Sequence, residues 1–243
     1  EQCSTTVLLC TATQPLLHDV NPAKGSIRLA SKPELMPDVG QLFKALQRVT
    51  VNDRRKAGGW ADQEVAELAA TEVQNSGSCL VIVNTKASAR RIFELCASVL
   101  ASDAIFHLST DMCPAHRKTR LAALLARLRE GLPTLCVSTQ LIEAGVDVDF
   151  GGVIRFMAGL DSIAQAAGRC NRNGRRVKGS VYVVNPQVEN LDKLPDILQG
   201  RNAALRVLDE FRQKPERFDD DLLSPAAMHA YYRYYFFDRA GDM

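Results

Sequence analysis

Short apolar runs recur along the chain with amphipathic stretches between them. The runs lie at 6–11, 79–84, 104–108, 134–138, 152–156 and 180–184, each rich in β-branched residues, non-alternating and bounded by turn residues. Continuous apolar runs of that length suit strands covered on both faces rather than strands with one wet side. Helices are predicted at about 62–75, 86–101, 114–130 and 161–172. In the third of these, Pro114 can open the helix, Leu121, Leu124, Leu125 and Leu128 form its apolar stripe, and Gly131 stands just past its end. Alternating strands and helices imply parallel strands joined by right-handed crossovers, a three-layer α/β domain. Upstream, 16–76 reads as a linker with short strands, one of them near 48–51, and a leading helix. Downstream, 189–243 reads as a helical extension with helices near 199–213 and 225–239.

Composition adds little beyond a soluble globular class. The chain has 243 residues, 46% hydrophobic and 24% charged, enough to bury a core. A net charge of +2 is too small to mark a nucleic-acid binder by bulk electrostatics, so any polyanion site must come from local clustering. The seven cysteines are scattered and form no Cys-x-x-Cys pair, which argues for reduced thiols in a cytoplasmic protein. No segment approaches the length of a membrane span, and the start at Glu1 is neither an initiator methionine nor a signal peptide, so the chain reads as a fragment of something longer.

The clustering appears at 165–178. Gln165, Gly168, Arg169 and Arg172 stand at i, i+3, i+4 and i+7, one stripe if the stretch is helical. Two guanidinium groups there, with no acidic residue between Ser162 and Val188, suggest an anion as the missing partner. Parallel α/β sheets place ligands at the carboxyl ends of their strands. Asn84 and Thr85, Ser109 and Thr110, Ser138 to Gln140, and 157–161 each follow a predicted strand, so they should share one rim, although any one of them can equally cap the next helix. Six aromatics among residues 231–237 can stack bases or pack against the sheet or a neighbouring domain. His18-Asp19 and the trio His107, Cys113 and His116 do not amount to metal sites: neither supplies enough ligands in one place.

Gln165, Gly168, Arg169 and Arg172 match the Gln-x-x-Gly-Arg-x-x-Arg motif of superfamily 2 helicases. Thr11-Ala12-Thr13-Gln14-Pro15 resembles motif three, Val83-Asn84-Thr85 motif four, and 138–149, with Thr139 and Gly145-Val146-Asp147, motif five. The wording of 10–15, 139–147 and 165–174 is similar to the CRISPR-associated helicase-nuclease of type I interference systems, over about 1–185. The resemblance implies a RecA-like (P-loop NTPase-like) second helicase lobe at 77–188, preceded at 1–15 by the last strand of the first lobe. It implies Arg169 and Arg172 as arginine fingers on ATP, with Gln165 holding the nucleotide or its attacking water. Gly145 gives Asp147 a tight turn from which to meet the ribose or steady an arginine, and Gly168 lets the helix approach a neighbouring backbone. Thr11 and Thr13 would couple ATP to strand grip, while Asn84, Thr85, Ser109 and Thr139 would touch phosphates of single-stranded DNA.

The sequence also departs from the whole family. It has no Gly-x-x-x-x-Gly-Lys-Ser/Thr loop and no Asp-Glu pair at the end of a strand, the parts that would hold ATP and magnesium in the first lobe. The expectation is half an ATP site, inactive as an ATPase alone. The implied partners are the first lobe and a nuclease domain with its own divalent metal, an RNA-guided surveillance complex and displaced single-stranded DNA, with no membrane. Another superfamily 2 helicase acting on DNA or RNA, and a non-catalytic nucleic-acid or protein-binding module, are the alternatives.

Overall fold

The computed structural model describes residues 13, 26, 27, 29, 30, 34–143 and 145–238. The expected strand at 6–11, the first-lobe segment 1–15 apart from Thr13, and therefore Thr11 lie outside the described residues. Six strands form one sheet: β1 (Val49–Asp53), β2 (Ser78–Ile82), β3 (Ile105–Leu108), β4 (Thr134–Ser138), β5 (Gly152–Phe156) and β6 (Gly179–Val184), in the order β1-β6-β5-β2-β4-β3. Every pairing is parallel. Strands β2, β4 and β5 are buried along their whole length, which accounts for their non-alternating, largely apolar sequences.

Helices α1 (Val39–Ala45), α2 (Asp62–Ser76), α3 (Lys86–Ala97), α4 (Pro114–Arg129), α5 (Leu160–Ala167), α6 (Pro195–Gln213) and α7 (Pro225–Asp238) complete the chain. The pleat sends Cys79, Val81, Leu135, Val137, Ile154 and Phe156 to one face, where α2 and α3 cover them. Leu80, Ile82, Cys136 and Val153 point the other way, towards α4 and α5. Val183 and α5 meet α6 and α7 in a third cluster around Ala203, Val207, Phe218 and Tyr231. The result is a three-layer α/β domain of RecA-like form. Among the described residues no helix is long and apolar enough to cross a membrane.

Three boundaries differ from those predicted. Strand β1, expected within a linker, pairs with β6 from Val49 opposite Gly179 to Asp53 opposite Val183, and α2 lies in the core, so the domain begins near 48 rather than 77. Helices α6 and α7 cover the sheet rather than extend from it. Of the aromatics, Tyr231 and Tyr232 are buried, with the Tyr231 hydroxyl donating to Asp161 at 2.7 Å. Helix α5 stops at Ala167, so only Gln165 of the four-residue stripe lies inside it. The cause is local. Asn171 takes a left-handed conformation, which asparagine tolerates better than most residues, and its amide donates to the carbonyls of Arg48 and Arg176 at 2.9 Å each. That turn swings Arg172 off the helix.

Candidate functional site

The loop from β4 to β5 carries the first part of the site. After Thr139 a 3-10 turn at Gln140–Ile142 leads to Glu143, and Gly145, exposed with φ 71°, reverses the chain into Asp147. A Cβ at Gly145 would meet nothing within 4 Å, so backbone conformation rather than space calls for glycine there. The end of the 3-10 turn presents unpaired carbonyls. Arg169 fills that role: its Nε donates to the Ile142 carbonyl at 3.0 Å and its Nη2 to the Glu143 carbonyl. The side chain is buried, and burial and the adjacent Arg172 lower its pKa while Asp147 and Glu143 oppose them.

Arg172 is differently placed. Its backbone N–H donates to Asp149 at 2.7 Å and its Nε to Asp147, also at 2.7 Å. The side chain keeps 44% exposure and that of Asp147 87%, so the guanidinium is oriented yet open to solvent. The two expected arginine fingers are therefore unequal: Arg169 is spent on the loop and Arg172 is presented. Gln165 is half-buried on α5, and Gly168 is exposed at its end. A Cβ on Gly168 would meet the Gln165 carbonyl of its own helix at 3.3 Å.

The strand-end residues share one rim but do not all face outwards. Thr85 caps α3, its hydroxyl accepting from the Ser88 N–H at 3.1 Å, and stays partly exposed. Ser109 is buried and accepts from the Asp111 N–H at 3.1 Å. Thr139 is buried at the start of the β4–β5 loop. Asn84 is turned inwards, 4% exposed, with Nδ2 donating to the Met157 carbonyl at 3.0 Å and to Glu189 at 2.8 Å. This corrects its expected role as a phosphate contact, because its polar atoms are already engaged below the surface. Thr13 interacts with Tyr232 of α7.

Beneath the rim lies a polar network absent from the sequence expectation. Arg155, on the central strand β5, is wholly buried; its Nη1 donates to Asn84 Oδ1 at 2.7 Å and its Nη2 to Ser162 Oγ at 2.9 Å. Its Nε lies 2.9 Å from Glu143 Oε1, at ion-pair distance but outside hydrogen-bond alignment, and Ser162 donates to Glu143 Oε2 at 2.7 Å. A charged residue inside a run read as a two-sided buried strand was the available signal, since it requires a buried partner. Among the described residues no group of three or more His, Cys, Asp or Glu is placed to hold a metal. His107 instead stacks on Phe93 at 5.3 Å, and burial lowers its pKa.

Burial raises the pKa of both Glu143 and Glu189, opposed by Arg155 at each and by Asn84 at Glu189. A carboxyl that holds its proton more tightly in the folded chain contributes stability below its ordinary value of 4.5, and loses that contribution as pH rises through the folded pKa. Melting temperatures measured from acid pH to about 7 should therefore show this fall in the wild type and a flatter profile in Glu189→Gln. Superimposable profiles would remove Glu189 from the linkage.

The all-parallel sheet sets the loops after β2 and β4 and the arginines at the end of α5 on a RecA-like α/β frame. Residues 75–175 match the family described as CRISPR-associated nuclease/helicase Cas3, C-terminal. A Cas3 nuclease/helicase of Haloferax volcanii is 50% identical over 64 residues, 24% of this chain and 7% of that protein. The crystal structure of T. fusca Cas3 superimposes with a TM-score of 0.57 at 19% identity, covering 81% of this chain and 26% of that one. A crystal structure of a CRISPR-associated protein gives 0.60 at 22% identity over 79% of this chain and 22% of its own. The chain thus spans about a quarter of the T. fusca protein.

Proposed function

We propose that this chain is the C-terminal lobe of an ATP-dependent, single-stranded-DNA translocase acting in CRISPR interference. A first lobe would bind ATP and magnesium across a shared cleft, and an associated nuclease domain with its own divalent metal would cut the strand. The observation that carries this reading is Arg172, held by Asp147 in a half-exposed position just past the end of α5 in a chain without a phosphate loop. Charge accumulates on the transferring phosphoryl oxygens during hydrolysis, and a planar guanidinium already oriented by a carboxylate stabilises it without reorganisation. Arg169 serves as a positioning residue by fixing the loop that bears Asp147. Gly145 and Asp147 line the nucleotide side, and Thr85 the strand side, of the same lobe. An RNA-guided surveillance complex would deliver the displaced strand, in the cytoplasm.

Mixing this chain with a purified first lobe of the family and an oligo-dT strand should produce strand-stimulated ATP hydrolysis, while the chain alone produces none. Robust turnover by the chain alone would contradict the half-site reading, and absence of stimulation in the mixture would remove the translocase assignment.

A further inference from the structure

We propose that Arg155 is a positioning residue that ties the strand-side rim to the nucleotide-side loop, so that both respond to a bound strand as one unit. The inference rests on the helicase reading above and adds to it a residue outside the motifs. Arg155 neighbours Ile82 across the β2–β5 pairing, which places its guanidinium beneath the carboxyl end of β2 where Asn84 and Thr85 begin the next loop. Its five donors reach three separate elements. Nη1 holds Asn84 of the β2–α3 loop at 2.7 Å, Nη2 holds Ser162 of α5 at 2.9 Å, and Nε faces Glu143 of the β4–β5 loop at 2.9 Å. Nη1 also donates to the Phe156 carbonyl at 2.9 Å, fixing the group to its own strand.

Each of these elements leads directly to a candidate functional group. Asn84 precedes Thr85 at the rim. Ser162 lies one helical turn before Gln165. Glu143 lies two residues before the exposed Gly145 and four before Asp147, which orients Arg172. The same Glu143 is held from the other side through its carbonyl by Arg169. A displacement of the rim by a phosphate backbone therefore reaches Asp147 through buried, charged contacts rather than through solvent, where screening would erase it. Other charged groups face the network: Glu189 beside Asn84, Arg201 near Glu189, and Asp161 near Glu143. Glu189 closes the network on the side of the segment after β6, where its carboxylate also accepts from the Asn84 N–H at 3.3 Å.

The test uses two readouts. In the two-lobed assembly with oligo-dT, Arg155→Met/Glu143→Gln, which removes the buried charge pair together, should lower the ratio of strand-stimulated to basal ATP hydrolysis about tenfold, the size of an ordinary coupling between sites. Arg155→Lys, which keeps the charge but not the fork, should recover only part of that ratio. In the unmutated chain, hydrogen exchange of the amides at 145–149 should slow on adding oligo-dT. An unstimulated wild-type assembly overturns the helicase reading and this inference together. A stimulated wild type with the same ratio in both variants, or with exchange at 145–149 indifferent to the strand, overturns this inference alone.

Discussion

Arg172→Ala in the two-lobed assembly should lower the turnover of ATP by about a thousandfold, the low end for removal of an arginine finger. The same substitution should leave the melting temperature of the chain almost untouched, because its exposed pair with Asp147 is of the kind that contributes about 0–1 kcal/mol. Arg172→Lys should recover little activity, since an ammonium lacks the planar fork that spans two oxygens. Arg169→Ala is expected to behave in the opposite way. It strips donors from the Ile142 and Glu143 carbonyls in a buried setting, a loss of about 1.5–3 kcal/mol for each charged hydrogen bond, and lowers activity through the displaced loop. Calorimetry and ATP turnover on both variants separate the two roles. Equal melting losses, or an active Arg172→Ala, would refute the division between them.

Glu143→Ala should be among the most destabilising single changes in the chain. It leaves the Arg155 guanidinium in the middle of the sheet without its paired carboxylate, and breaking a buried ion pair from one side costs about 3–5 kcal/mol. For a domain of this size that lowers the melting temperature by on the order of 10 °C. Replacing both members, as Arg155→Met/Glu143→Gln, should restore most of the loss, because the uncompensated charge is gone and the methionine fills similar space. Thermal unfolding of the single and double variants completes the comparison. A double variant no more stable than Glu143→Ala would mean that the volume and packing of Arg155, rather than its charge, hold this part of the core.

What could be read from the chain followed the physics of each segment. Strands β4 and β5 lie at their predicted residues because their runs are short, non-alternating and bounded by turn formers. Helix α4 begins at Pro114 as predicted, and its end falls within a residue of the prediction because Gly131 follows in a left-handed turn. Strand β1 was expected as a short strand near 48–51, but its place in the main sheet was not: five residues at an edge, three of them polar, carry too weak a pattern to show a partner in β6. The end of α5 was missed because i, i+3 and i+4 spacing continues past Ala167 in sequence while Asn171 turns the backbone. Around the site, residue types pointed to the right loops without saying which side chains face outwards. Whether Arg169 or Arg172 is exposed, and whether Asn84 turns in or out, depends on carbonyls and carboxylates brought from elsewhere in the chain, and spacing contains no record of them.

The parallel pairing of β1 with β6 bears on how the chain acquires its structure. Val49 meets Gly179 only after four other strands and the intervening helices have been made, so closing the sheet forfeits a large amount of chain entropy before any contact repays it. Such non-local partnering favours slow folding, and during synthesis the N-terminal side of this domain must wait for its neighbour to leave the ribosome. Until then β1 is unpaired and β5 offers an open edge, making the late arrival of β6 a point at which nascent chains are vulnerable to association with one another.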